Sequence, residues 1–389
     1  MSAAMLETTR LLRDLVAIPS VNPMGRPLHG PELFEHRVTD YLEKFFASLG
    51  VRFERQPVAP LRENIVAVYE PPNPARTFVF EAHQDTVPTD NMTIDPFGAK
   101  IENGRLYGRG ACDIKGGMAA MLAAFARLVR EKPAGAARVV MACTVDEELT
   151  FLGVQRLAKD DLRGGHQHPV GAVVAEPTDL RIVNTHKGAV RWYLYTKGKS
   201  CHSSRPELGV NAIYLMADVL PHIAYYAEQL RATRIDPLLG PATLSVGRIE
   251  GGTSVNTVPD QCRIEIDRRL VPGEDGGRAV ADLMAYLRGQ LQGRVRLECS
   301  EPWLSSPALS PDLSADLTAR LGRAIDAVRG CHEVIGVPYG TDASKLALAG
   351  VPSVVFGPGD IARAHTCDEW VPLDEVEQAS EILYRLAIG

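Results

Sequence analysis

The sequence predicts an α/β protein in which one discontinuous domain, a helix-covered mixed sheet, is interrupted by a smaller α+β domain. Three observations carry this reading. Short apolar runs at 77–82, 138–144 and 170–175 read as buried strands and alternate with helical patterns, as in a sheet covered on both faces. From about 185 to 300 the order becomes strand, helix, strand, strand, helix, strand, which is the split-βαβ or ferredoxin-like order. Beyond residue 313 the first pattern resumes. The boundaries drawn are 1–184 and 301–389 for the main domain and 185–300 for the insert. A chain of 389 residues has room for about two domains.

Residues 4–16 form an amphipathic helix with Leu11, Leu12 and Leu15 inward, closed before Pro19. A second helix covers 32–49 and ends at Gly50. Segments 52–55 and 64–69 alternate like strands, and the polar turn 71–75 leads into the central strand at 77–82. His83 and Asp85 stand at the end of that strand, and Asp113 stands before a helix over 115–130. Strand 138–144 ends at Asp146, Glu147 and Glu148; strand 170–175 ends at Glu176. The insert reads as strands 189–196, 242–250, 261–270 and 294–299 with helices 211–231 and 277–291. Helix 313–328, a turn into a helix at 337–344 and a buried strand at 352–356 complete the main domain.

Composition excludes several function classes. The net charge of -6 gives no electrostatic case for nucleic acid or an anionic membrane as partner. No run of 18 apolar residues is present, so no transmembrane helix is expected. The first 20 residues lack the basic and continuously apolar regions of a signal peptide. The seven cysteines are scattered without a CxxC pair, as for free thiols in a reducing compartment. The expectation is a cytoplasmic protein.

The ligand-type residues all stand at strand ends: His83, Asp113, Glu148, Glu176 and, beyond the last strand, His365. Open α/β sheets place their ligands at such ends. Two imidazoles and three carboxylates suffice for two zinc ions if one carboxylate bridges. Charge agrees, because two dications are matched by three carboxylates and one hydroxide. Zinc brings the pKa of a bound water from about 15.7 to about 7. Neighbouring residues at a strand end point to opposite sides, so one of Glu147 and Glu148 can hold metal while the other serves as general base.

These residues lie in a series of motifs. They are His83-Gln-Asp85-Thr-Val-Pro88, Gly108 to Gly116 (GRGACDIKG), Asp146-Glu147-Glu148, Glu176-Pro-Thr178, and His186-Lys-Gly188. Further on come Gly198 to Ile213, GGTSVNTVPD at 251–260, Asp267 to Glu274, GTDAS at 340–344, and FGPG followed by AHTCDE. In this order the chain resembles, over nearly its whole length, the zinc aminoacylase/carboxypeptidase metallohydrolases, which include acetylornithine deacetylase and succinyl-diaminopimelate desuccinylase. The resemblance implies that His83 and Glu176 hold one metal, Glu148 and His365 the other, and that Asp113 bridges. It implies that Glu147 is the general base and that Asp85 hydrogen-bonds His83 to fix its tautomer. It also implies a cis Asp113–Ile114 peptide. The insert would be a lid and dimerisation domain. There His202 would stabilise the oxyanion, while Asn256, Arg269 and the backbone near Gly340 and Thr341 would bind substrate. Cys112 and Cys201 adjoin functional positions, but the metals make a thiol nucleophile unnecessary.

The expected activity is hydrolysis of the amide bond of an N-acyl amino acid by a dinuclear zinc site, through hydroxide attack assisted by Glu147. Cobalt and manganese also suit these ligands. Glu176, where aminoacylase and dipeptidase relatives often carry Asp, leans toward the deacetylase/desuccinylase branch. The alternative is a dipeptidase or carboxypeptidase with the same site, and more remotely a non-catalytic binding relative. Ala82 and Thr150 stand where the family commonly has Gly, which leaves the ligands in place and the pocket open to change. The partners expected are a small N-acyl amino acid or dipeptide substrate and a second copy of the chain.

Overall fold

The computed structural model describes residues 3–159 and 168–389. The chain divides into two compact units: Met1–Asn184, Pro311–Ile335 and Thr341–Gly389 in the first, Thr185–Ser310 and Gly336–Gly340 in the second.

The first unit is built on a sheet that, among the described residues, has eight strands. Their order is Arg52–Ala59, Arg62–Tyr69, Arg138–Thr144, Thr77–His83, Gly171–Val174, Ser353–Val355, Ile182–His186, Val334–Val337. Every residue of Thr77–His83 is buried. Since successive side chains point to opposite faces, both faces of this strand are covered. It runs parallel to Arg138–Thr144 on one side and to Gly171–Val174 on the other, and Ser353–Val355 continues the parallel set. The carboxyl ends of four strands therefore reach one edge of the sheet. Strand Arg62–Tyr69 is antiparallel both to this set and to its hairpin partner Arg52–Ala59, which makes the sheet mixed.

Helices Ala3–Ala17, Gly116–Glu131 and Leu373–Ile388 pack on one another in the same unit. The core gathers Leu11, Leu15, Phe46, Phe78, Phe80, Phe125 and Leu383. Phe46 and Phe125 meet edge to face with ring centroids 5.8 Å apart. Burying each such side chain stabilises the unit by roughly 1.5–3 kcal/mol.

The second unit has an antiparallel sheet in the order Thr243–Gly251, Gln261–Leu270, Gly188–Lys197, Arg296–Cys299, with Leu304–Ser306 also pairing to Gly188–Lys197. Burial alternates strictly along Gln261–Leu270. Its inward face packs Ile264 and Ile266 with Trp192 and with Leu283 and Leu287 of helix Gly276–Leu291. With helix Ala212–Thr233 the order is β-α-β-β-α-β, the split-βαβ arrangement.

Several elements differ from expectation. The second helix starts at His36 rather than 32, because Leu33 bridges Val21 and Phe34 adopts φ 65°. The first hairpin is longer than the segments 52–55 and 64–69. Helices Leu152–Lys159 and Leu373–Ile388, and the small sheet of Lys100–Glu102, Arg105–Tyr107 and Trp370–Pro372, were not foreseen. No helix among the described residues is long and apolar enough to cross a membrane.

Candidate active site

The parallel set explains how residues far apart in sequence meet. Strand Thr77–His83 delivers His83 at its last position, and Thr144, its register partner, is followed at once by the Glu147–Glu148 turn. Asp146 takes φ 65° to make that turn. Glu176 follows strand Gly171–Val174, and His365 follows Ser353–Val355. Asp113 lies in the turn that opens helix Gly116–Glu131, and its peptide bond to Ile114 is cis.

The five expected ligands converge. His83 Nε2 lies 3.2 Å from Asp113 Oδ1, and His365 Nε2 lies 3.3 Å from Asp113 Oδ2. One carboxylate thus faces two imidazoles, one oxygen to each. His365 Nε2 is also 3.3 Å from Glu148 Oε2. Ligand atoms of His83, Glu147 and Glu176 lie within 4.8 Å of one another, as do those of His83, Asp113 and Glu148. Glu147 therefore enters the group with Glu176, beside the expected ligand set.

The electrostatics match a site built for cations. Burial, then the charge of Asp113, pushes Glu176 well above the usual carboxylate range. Burial, then Glu176, does the same to Glu147. Burial and Asp113 push Glu148 up to about 6. Burial alone would lower His365, but its bonds to Asp113 and Glu148 carry it up to about 11. Glu147 and Glu176 thus hold on to protons, whereas Asp113, bonded to both imidazoles, is shifted down, and the imidazoles become the local positive charge. Glu148 Oε1 is buried without a hydrogen-bond partner. An orphaned carboxylate oxygen amid crowded acids and imidazoles is the donor set that divalent metals satisfy.

Asp85 is wholly buried and organises this cluster differently from expectation. His83 Nδ1 bonds the main-chain carbonyl of Asp85 at 3.0 Å, while the Asp85 carboxylate is 3.6 Å away, beyond hydrogen-bonding distance. The carboxylate is engaged elsewhere. Oδ1 accepts the N–H of Glu147 at 3.2 Å, and Oδ2 accepts those of Glu148 at 3.3 Å and of Asn22 Nδ2 at 2.9 Å. Asn22 Nδ2 also donates to Asp146 Oδ1 at 2.9 Å. Asp146 pairs with buried Arg62, which grips Glu35 at 2.9 and 3.0 Å. Asn22, Arg62 and Glu35 carried no sequence signal, because each meets its partners only through the fold.

The remaining candidates lie as follows. Thr341 is buried in the first unit, and its hydroxyl accepts from Ala343 N at 3.2 Å. Cys112 is buried and its thiol pKa is driven well up by burial, so it is no thiolate nucleophile. His202, Asn256, Arg269 and Gly340 belong to the second unit. There His202 is exposed, and its Nδ1 accepts from Ser204 N at 3.1 Å, which leaves the proton on Nε2. Its strand Cys201–His202 pairs with Thr257–Val258, next to Asn256. Arg269 Nε donates to Asp267 at 2.7 Å, and Arg191 holds the other oxygen of Asp267. Gly340 lies close to Lys187 O.

Comparison with known proteins gives the family and the fold. Residues 79–388 match the model of peptidase family M20/M25/M40. Acetylornithine deacetylase of Myxococcus xanthus is 32% identical over 361 residues, 89% of this chain and 90% of that protein. The acetylornithine deacetylase of Edwardsiella ictaluri is 29% identical over 97% of this chain and 96% of its own. Among solved structures, a metallo-carboxypeptidase of the M20 family from Sulfolobus solfataricus superposes with TM-score 0.78 at 19% identity, covering 100% of this chain and 99% of that one. A dinuclear metal-binding M20 peptidase from Bacillus subtilis gives TM-score 0.70 at 18% identity, covering 99% and 98%. At these identities the two structures speak for the fold.

Proposed function

Since this chain belongs to peptidase family M20/M25/M40, we propose that it hydrolyses the amide bond of an N-acyl amino acid, in the manner of the acetylornithine deacetylases it is similar to. The observation that carries this is the Asp113 carboxylate set between the imidazoles of His83 and His365, with the Glu147–Glu148 turn beside it.

Two divalent cations, zinc by ligand type, would be held by His83 and Glu176 on one side and by Glu148 and His365 on the other, with Asp113 shared. Bound there, they supply Lewis acidity that acidifies a water and polarises the scissile carbonyl. Glu147 takes the proton of the attacking water on its carboxylate and passes it to the leaving nitrogen. Asp85 holds the turn that aims Glu147. His202, protonated on Nε2, is the proposed donor to the developing oxyanion. Arg269 and Asn256, with the backbone at Gly340 and Thr341, are the proposed binders of the substrate carboxylate.

The second unit is the proposed lid and dimerisation domain. Support comes from its exposed Ile213, Tyr214 and Tyr225 on helix Ala212–Thr233 and Ile249 on the edge strand Thr243–Gly251. Such apolar exposure beside an open strand edge suits a second copy. Light scattering on the wild type and on Tyr214→Arg tests this; a monomeric wild type refutes it. All seven cysteines are free, which supports placing the protein in the reducing cytoplasm.

A panel of N-acetyl-ornithine, N-succinyl-diaminopimelate, other N-acyl amino acids and dipeptides, each with Zn²⁺ or Co²⁺, tests the activity. The expected result is the highest kcat/KM on an N-acyl amino acid. Preference for dipeptides, or no hydrolysis by the metal-loaded chain, overturns this reading.

A further inference from the structure

Glu369 and Arg109 form an ion pair at 2.6 Å, with side chains 0% and 1% exposed. The chemistry above gives neither a role. Glu369 spends its remaining bonds on one loop. Oε2 accepts the main-chain N–H of Gly110 at 3.1 Å, and Oε1 accepts those of Cys112 at 2.9 Å and Asp113 at 3.0 Å. The backbone from which Asp113 projects is therefore held by one carboxylate.

Arg109 carries the connection further. Its Nη2 donates to Pro88 O at 3.2 Å and to Asn91 Oδ1 at 3.0 Å. Asn91 Nδ2 in turn donates to the main-chain carbonyl of His365 at 3.1 Å. Thr93 adds two bonds to Cys367 O, at 2.9 Å from its nitrogen and 3.2 Å from its hydroxyl. The loop after His83, the loop of Asp113 and the segment from His365 to Glu369 are thus joined through one buried pair. Such a pair is a poor device for stability alone, since apolar residues of similar volume do as well or better. It is a good device for geometry, because a planar guanidinium and a four-times-bonded carboxylate each have one orientation.

We propose that Glu369, braced by Arg109, is a positioning residue that sets the Asp113 carboxylate relative to the His365 imidazole, and so the affinity for the cation they share. This rests on the metal-centre reading above.

Glu369→Gln is the direct probe. The amide must turn its NH₂ either toward Arg109 and Gly110 or toward the nitrogens of Cys112 and Asp113, donor against donor. The wild type and the variant are titrated with Co²⁺ and followed by the visible spectrum, with circular dichroism and kinetics alongside. The second equivalent of Co²⁺ should bind about 10–100-fold more weakly to the variant, with an altered spectrum and a kcat lowered more than KM is raised. Asn91 is exposed, and Asn91→Ala removes its bonds to Arg109 and to His365 while leaving the buried Glu369–Arg109 pair, so it tests the same idea if Glu369→Gln does not fold. It should keep the wild-type melting temperature and still weaken the second Co²⁺. A folded Glu369→Gln chain with unchanged Co²⁺ affinity, spectrum and kcat overturns the proposal. So does an Asn91→Ala chain with unchanged Co²⁺ affinity where Glu369→Gln fails to fold. A wild type that takes up no Co²⁺ refutes the metal-centre reading itself, which separates the two failures.

Discussion

The Asp85 carboxylate lies 3.2 Å from the main-chain nitrogen of Glu147. Its other oxygen takes the nitrogen of Glu148 at 3.3 Å. One buried side chain thus orients both the proposed base and a proposed ligand, while its own carbonyl orients His83. Asp85→Asn keeps the size but offers one acceptor oxygen where two are used. We expect about a 10–100-fold loss in kcat/KM, as for other groups that orient metal ligands. Steady-state kinetics on a folded variant checks this, and wild-type rates would remove Asp85 from the account.

Glu147→Gln removes the proton acceptor and little else. The rate should fall by about 10²–10⁴-fold with both cations still bound. Metal analysis beside the kinetics distinguishes this from loss of a ligand. A variant that has lost a cation would assign Glu147 to the ligand set, as its approach to His83 and Glu176 allows.

His186 gives the second unit a dependence on acid. The side chain is fully buried, and desolvation lowers its pKa from 6.5 to about 4. The folded state therefore holds the neutral ring, while the unfolded chain binds a proton below about 6.5. The contribution is present above pH 6.5 and is lost as the pH falls toward 4, by at most roughly 3 kcal/mol. Denaturant titrations between pH 7.5 and 4.5 should show His186→Gln losing less stability than the wild type over this window. Parallel curves would contradict the assignment.

Much of the site was legible because its residues sit where sheet geometry exposes them. The run 77–82 marks a buried strand, so the His83 that ends it had to emerge at an edge; the same logic served Glu148 and Glu176. The second helix starts later than expected because 32–35 looks helical by composition, whereas Leu33 pairs with Val21 and the Glu35 carboxylate is held by Arg62. The partner of Asp85 differs from expectation for a similar reason. Local spacing pointed its carboxylate at His83, but three donors from residues 22, 147 and 148 occupy it. Glu369 and Arg109 stand inside quoted motifs 260 positions apart, and no periodicity connects them.

The most direct test of the central claim is elemental analysis of the folded chain after saturation with Zn²⁺ and removal of excess metal. The account predicts two zinc ions per chain, fewer in His365→Ala and in Glu176→Ala, and loss of activity together with the metal on chelation. A folded wild-type chain that holds fewer than two ions at saturation, or that hydrolyses its substrate undiminished without them, would contradict it.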